Sequence, residues 1–127
     1  MEKRISEGRF GLLNLVIPAE VFFHPNLTLT EKILFGFILN LSGSKQGCWA
    51  GNRWLGKVLK VGPQTISRGV SNLETEGFIK RKYQRKSNHT VEQERRIYID
   101  PSYQERYRYL VEAAHEDSFF AIFENGY

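Results

Sequence analysis

The chain has 127 residues, 41% of them hydrophobic and 25% charged, which suits one globular domain with a core of its own. A single cysteine, Cys48, excludes an internal disulfide framework, and no apolar run reaches the roughly 18 residues that a membrane span needs. The net charge of +4 is modest, but it is segregated along the chain. Lys80, Arg81, Lys82, Arg85, Lys86, Arg95 and Arg96 are seven positives against Glu92 and Glu94, a net of +5. From residue 100 onward, six acidic residues face Arg106 and Arg108, a net of −4. Such segregation predicts one surface facing a polyanion, and the bland alternative is a solvated basic hairpin.

In chain order, the first segment is apolar but broken by Pro18 and Pro25. Phe10 to Val16 reads as a short strand and Pro18 to Phe23 as one helical turn. The first clear helix opens at Thr28, where Glu31 three residues on completes a capping box. Ile33, Leu34, Phe37, Ile38 and Leu41 follow as an apolar stripe, and Ser42-Gly43-Ser44 ends it. Cys48 to Ala50 leaves room for a very short strand. Leu55, Val58 and Leu59 mark one face of a helix from about Asn52 to Lys60. Trp49 and Trp54 read as core packing in preference to a stacking platform.

The next helix begins with Gly62 as cap and Pro63 at the first helical position. Ile66, Val70 and Leu73, at i, i+4 and i+7, define its buried face. At 100° per residue, Gln64, Arg68, Ser71 and Thr75 point the other way, with Thr65, Ser67 and Asn72 flanking them. Gly77 is the expected stop. The segments FIKRKYQ and RRIYID then read as two strands joined by a loop longer than a tight turn. Asp100-Pro101 starts a last helix, along which Tyr103, Tyr107, Leu110, Val111 and Ala114 recur at helical spacing. Phe119, Phe120, Ile122 and Phe123 add an apolar end. The tight Val61-Gly62 link lets its two helices cross steeply, and Gly56 and Gly69 can supply the small residues needed where backbones meet, the alternative being that these glycines are incidental.

The stretch NRWLGKVLKVGPQTISRGVSNLETEGFIKRK resembles the core of winged helix–turn–helix DNA-binding domains, most of all those of phage and plasmid replication proteins and small bacterial regulators. Leu55, Val61, Thr65, Ile66, Arg68, Leu73, Gly77 and Ile79 stand at the family's positions, and the resemblance spans Leu27 to about Ile99. Lys60 departs from it, because glycine is usual at that turn position. The resemblance implies a mainly helical α+β fold: a core over about 27–100, a small antiparallel β-wing, and extra segments at both ends. It also implies that the second helix of the motif enters the major groove, with its first side chains at base edges and its positive dipole end near phosphate.

On that reading the DNA-binding residues are Arg53, Gln64, Thr65, Ser67, Arg68, Ser71, Asn72, Lys82, Arg85, Lys86 and His89. Gln64 suits adenine, Arg68 suits guanine, and the hydroxyls suit bases or phosphates. The wing cations suit the phosphate backbone. The expected function is double-stranded DNA binding by a cytoplasmic transcriptional regulator or replication-origin binder. The expected assembly is a homodimer formed through residues 101–127, with the tail folded back on its own domain as the competing arrangement. The alternative function is a protein-interaction module on the same fold. No catalytic residue, cofactor, metal, membrane or small-molecule ligand is expected. His24, His89 and His115 lack metal-ligand pairing, and no phosphate-binding glycine loop of the nucleotide-hydrolase type occurs.

Overall fold

The computed structural model describes residues 15–42, 47–85, 87–89 and 93–114, with side chains through Arg108. The expected strand at 10–16 lies outside these residues except for Leu15 and Val16, which belong to no regular element. Pro18 caps a single helical turn, α1 (Ala19–Phe22). The next helix, α2 (Leu29–Leu41), starts on a complete capping box: Thr28 Oγ1 accepts from Glu31 N at 3.1 Å, and Thr28 N donates to Glu31 Oε1 at 3.0 Å. Two of the orphan donors at that helix end are thereby satisfied. Then follow α3 (Asn52–Leu59), α4 (Pro63–Thr75), β1 (Ile79–Arg85), β2 (Gln93–Ile99) and α5 (Pro101–Ala114). The order is the one the sequence predicts, and both strands run further into the loop than their composition suggested.

The two strands pair antiparallel from Ile79–Ile99 at the base to Arg85–Gln93 near the tip. The short strand expected at Cys48 is one bridge: Cys48 N donates to Ile97 O at 2.8 Å and Ile97 N to Cys48 O at 2.9 Å. It adds a third, minimal strand to the free side of β2. The core lies between this sheet and the helices. Leu34, Phe35, Ile38 and Leu39 of α2 meet Leu55 of α3, Ile66, Val70 and Leu73 of α4, and Ile79, Ile97 and Ile99 of the sheet. Buried apolar side chains of this size stabilise by about 1.5–3 kcal/mol each, so the cluster is the main source of stability.

The start of α5 packs on its own domain. The Tyr103 ring lies 5.1 Å from Phe78 and the Tyr107 ring 6.1 Å from Phe35, centre to centre. Tyr107 is buried, and its hydroxyl donates to Glu20 of α1, which also pairs with Arg106. Burial and the Glu20 contact raise the Tyr107 phenol pKa above its ordinary value. Two of the five stripe residues assigned to dimerisation are therefore engaged within the chain. This corrects the expectation for Tyr103 and Tyr107 and favours the folded-back arrangement there. The side chains of Leu110, Val111 and Ala114, and residues 115–127, lie outside the described set.

The tryptophans divide. Trp54 packs partly buried against the core, as expected, but Trp49 is 61% exposed. Its neighbours Cys48 and Ala50 point inward and are buried, so strand alternation turns Trp49 outward. The expectation of core packing is corrected for this residue.

Candidate nucleic-acid interface

The turn between α3 and α4 decides how α4 is presented. Lys60 ends α3 in the left-handed conformation, at φ 62° and ψ 43°. Val61 N donates back to Gly56 O at 2.9 Å, a bond typical of helices closed by a left-handed residue. The chain thus folds tightly over the last turn of α3. A β-carbon on Gly56 would stand 2.7 Å from the Val61 carbonyl oxygen, a backbone atom that cannot move aside. Gly56 is required for the reason the sequence suggested. Gly69 is not: its added β-carbon would meet Leu34 Cδ2 at 2.9 Å and Glu31 Cγ at 3.3 Å. Gly69 therefore serves the crossing of α4 with α2, where flexible side chains set the limit, and not the crossing with α3.

Along α4, Ile66, Val70 and Leu73 are buried as the periodicity predicts. Gln64, Ser67 and Arg68 are exposed in the first turns, and Thr65 and Ser71 are half-buried. The side chains of Gln64, Ser67 and Arg68 have no hydrogen-bond or ion-pair partner among the described residues. Asn72 differs. Its Nδ2 donates to Asn26 O at 3.0 Å and to Glu31 Oε1 at 2.8 Å, so it ties α4 to the start of α2. Its amide serves the fold, and it is withdrawn from the DNA-contact set. The geometric reason is simple: 100° per residue places Asn72 on the flank that α2 covers.

Beyond Asn72 the helix is stapled to its surroundings. Glu74 accepts from Arg81 N at 3.1 Å and from Arg81 Nε at 2.8 Å. Burial opposes ionisation of Glu74, but the Arg81 hydrogen bonds and charge prevail and hold its pKa below the ordinary value. Glu76 pairs with His24 Nε2 at 3.5 Å and accepts from Asn26 Nδ2 at 3.4 Å.

The wing carries less available charge than the sequence count implies. Arg81 is held by Glu74, Arg96 by Glu94, and Lys80 lies 3.9 Å from Asp100. Arg95 reaches across to α3, donating to Asn52 Oδ1 at 2.7 Å and to Ala50 O at 2.8 Å. Burial lowers the Arg95 pKa, and those two acceptors make its burial tolerable. Four of the seven cations are therefore already engaged: Arg81 with α4, Arg95 with α3 and Ala50, Lys80 with Asp100, and Arg96 with Glu94 on its own strand. Lys82 and Arg85 are exposed, with Lys82 Nζ 5.3 Å from the Tyr98 ring centre. His89 is exposed in the wing loop, and Lys86 lies outside the described residues. Arg53 is exposed on the first turn of α3, with Lys57 one turn on and Lys60 at the turn itself.

This is the arrangement of a helix–turn–helix: α3 braces, a left-handed turn redirects the chain, and α4 presents an open polar face beside a basic hairpin. Residues 26–79 match the family described as a helix-turn-helix domain. This segment is a helix–turn–helix domain. With the antiparallel hairpin that follows, the fold is a mainly helical α+β winged helix. Comparison with curated proteins and with solved structures gave no match.

Within the helix–turn–helix domain, the structure leaves Gln64, Ser67 and Arg68 exposed at the start of α4 and Arg53 exposed on the first turn of the bracing helix. It separates Lys82, which sits on the opposite face of the hairpin from Arg81, Arg85 and Arg95. Sequence reasoning missed the bracing roles of Arg81 and Arg95, because charge counting cannot show which acceptors a strand will meet. Lys57 and Lys60 are further exposed cations near Arg53, on or next to a helix that contains no acidic residue. Among the described residues, no group of three or more His, Cys, Asp or Glu side chains could hold a metal ion, and no helix is long and apolar enough to cross a membrane. Burial raises the Cys48 thiol pKa, the reverse of what activates a nucleophilic cysteine.

Proposed function

We propose that the protein binds double-stranded DNA sequence-specifically, with α4 in the major groove and the wing on the backbone. The observation that carries this reading is the first half of α4. It exposes Gln64, Ser67 and Arg68 without intramolecular partners among the described residues, at a helix start that favours anions. Gln64 and Arg68 read base edges, while Thr65, Ser67 and Ser71 reach bases or nearby phosphates. Arg53, Lys82, Arg85, Lys86 and His89 contact the backbone. On this reading the protein acts in the cytoplasm as a transcriptional regulator or replication-origin binder of a bacterium or mobile genetic element, and as a binding protein with no catalytic step.

The homodimer is part of the same proposal. With Tyr103 and Tyr107 engaged in cis, the exposed apolar side chains that favour pairing are Phe22, Phe23 and Leu29 at the corner between α1 and α2. Two-fold pairing favours a palindromic site with half-sites about one DNA turn apart.

Selection of duplex sites from a random pool, followed by titration at two salt concentrations, tests the function. Binding should prefer selected over scrambled duplex and weaken steeply with salt through counterion release. Absence of sequence preference together with flat salt dependence refutes it and favours a protein-interaction module. Sedimentation of the full chain tests the dimer, and a monomer at micromolar concentration removes that part alone.

A further inference from the structure

We propose that the outer face of the wing sheet, centred on Trp49, is a second nucleic-acid surface that binds a single strand by stacking an unpaired base. This goes beyond duplex binding by α4: its central ring, Trp49, takes no part in the duplex contacts proposed above, although it shares Lys82 with them. Cys48 bridges Ile97 antiparallel, so continuing that register sets Trp49 opposite Arg96, and Arg96 in turn pairs with Lys82. Side-chain alternation then puts Trp49, Arg96 and Lys82 in one row on the face turned away from the core. Burial agrees: Cys48 and Ala50 are buried while Trp49 between them is exposed. Tyr98 lies on the same face beneath the Lys82 ammonium, and Gly47 leaves its ring room, since a β-carbon there would come within 2.8 Å of Tyr98 Cε1.

A large exposed ring with cations beside it meets the two needs of a single-strand site. Any base can stack on the ring through its π-face, and cations two strands away, roughly 10 Å at sheet spacing, can reach the flanking phosphates. Arg53 and Lys57 are exposed on α3, the helix that follows Trp49 in the chain, and α3 contains no acidic residue. Trp54, 6.5 Å away and tilted at 43°, is partly buried and supports Trp49 from the side. The acidic residues on this face, Glu94 and Asp100, are close to Arg96 and Lys80, so the charge that remains complements a polyanion. A protein partner is disfavoured, because the ring stands alone in a polar row and not in a continuous apolar patch.

The test uses the full chain and a fluorescently labelled oligothymidine, with the selected duplex measured in parallel. Trp49→Ala should weaken oligothymidine binding about 5- to 150-fold, the loss of one base–ring stack, and leave duplex affinity unchanged. Trp49→Phe should lose less. In a Trp54→Phe background, oligothymidine should quench the fluorescence of Trp49, a readout that needs no deletion of the ring. Failure of the unmodified chain to bind oligothymidine while it binds duplex overturns this proposal and leaves the duplex reading intact. Equal oligothymidine affinity of Trp49→Ala, or no quenching at saturation, overturns it as well. If Trp49→Ala instead abolishes self-association and spares oligothymidine binding, the ring belongs to a protein contact.

Discussion

The two ends of α4 are built from similar polar residues and do opposite things. At the start, Gln64, Ser67 and Arg68 stand in solvent with no partner among the described residues. Past the middle, Asn72 bonds to Asn26 and Glu31, Glu74 to Arg81, and Glu76 to His24 and Asn26. The same chemistry fastens the helix at one end and stays available at the other. What differs is the neighbour. The left-handed turn brings α4 off α3 with the side chains of Gln64, Ser67 and Arg68 in solvent, while Asn72, Glu74 and Glu76 are held by α2, the loop before it and the first residues of the wing. A reading helix needs this asymmetry, because side chains can discriminate bases only if their backbone is held still from elsewhere.

The largest expected effects break the comparison at the open end and at its hinge. Arg68→Ala should remove roughly 1–3 kcal/mol of base discrimination on the selected duplex, with stability changed by less than about 0.5 kcal/mol. Unchanged affinity and base preference would show that the wrong face has been assigned to the duplex. Gly56→Ala should destabilise by about 1–2 kcal/mol in chemical denaturation, because contact with the Val61 carbonyl outweighs the gain in helix propensity. Gly69→Ala is the control. Its added carbon meets side chains, Leu34 in the core and Glu31, and no backbone atom, so the loss should be smaller than at Gly56, with the propensity gain offsetting part of it. Equal losses at both glycines would mean that the tight turn is not what constrains Gly56.

Asn72→Ala should show the converse of Arg68→Ala. It removes two hydrogen bonds and leaves the Asn26 carbonyl short of one donor, so a loss of about 1–2 kcal/mol in stability is expected. Base preference should not move, and a shifted selected sequence would return Asn72 to the interface. Lys60→Gly should stabilise by about 0.5–1 kcal/mol, since a left-handed residue with a β-carbon is strained and glycine is not. A loss of stability on that change would mean that the Lys60 side chain makes a contribution larger than the strain.

The smallest effect concerns pH. Hydrogen bonds from the Ser102 backbone and hydroxyl hold the Asp100 pKa below its ordinary 3.8, and Arg81 holds Glu74 below its ordinary 4.5. A lowered folded-state pKa means that the stabilisation is complete above the ordinary value and is lost as pH falls through the folded one. Stability should therefore be flat from neutral pH to about 5 and decline below the ordinary values. In Glu74→Gln the decline should be shallower. An identical acid profile for that variant would show that Arg81 gains nothing from the Glu74 charge.

Much of the molecule was determined by the sequence alone. Thr28 with Glu31, Gly62 with Pro63, and Gly77 mark helix ends by local backbone chemistry, which acts within a few residues. The spacing of Ile66, Val70 and Leu73 settles the buried face of α4, because helical period is a local property. Tertiary structure alone decided which polar groups would find each other. Arg95 meets Asn52 across 43 residues and Asn72 meets Glu31 across 41, and no local rule encodes such distances. It also decided that Tyr107 would pack on Phe35 within one chain, and that Trp49 would face outward. A tryptophan's preference for burial is an average over surfaces, and at that position one bridge between Cys48 and Ile97 sets the alternation that overrides it.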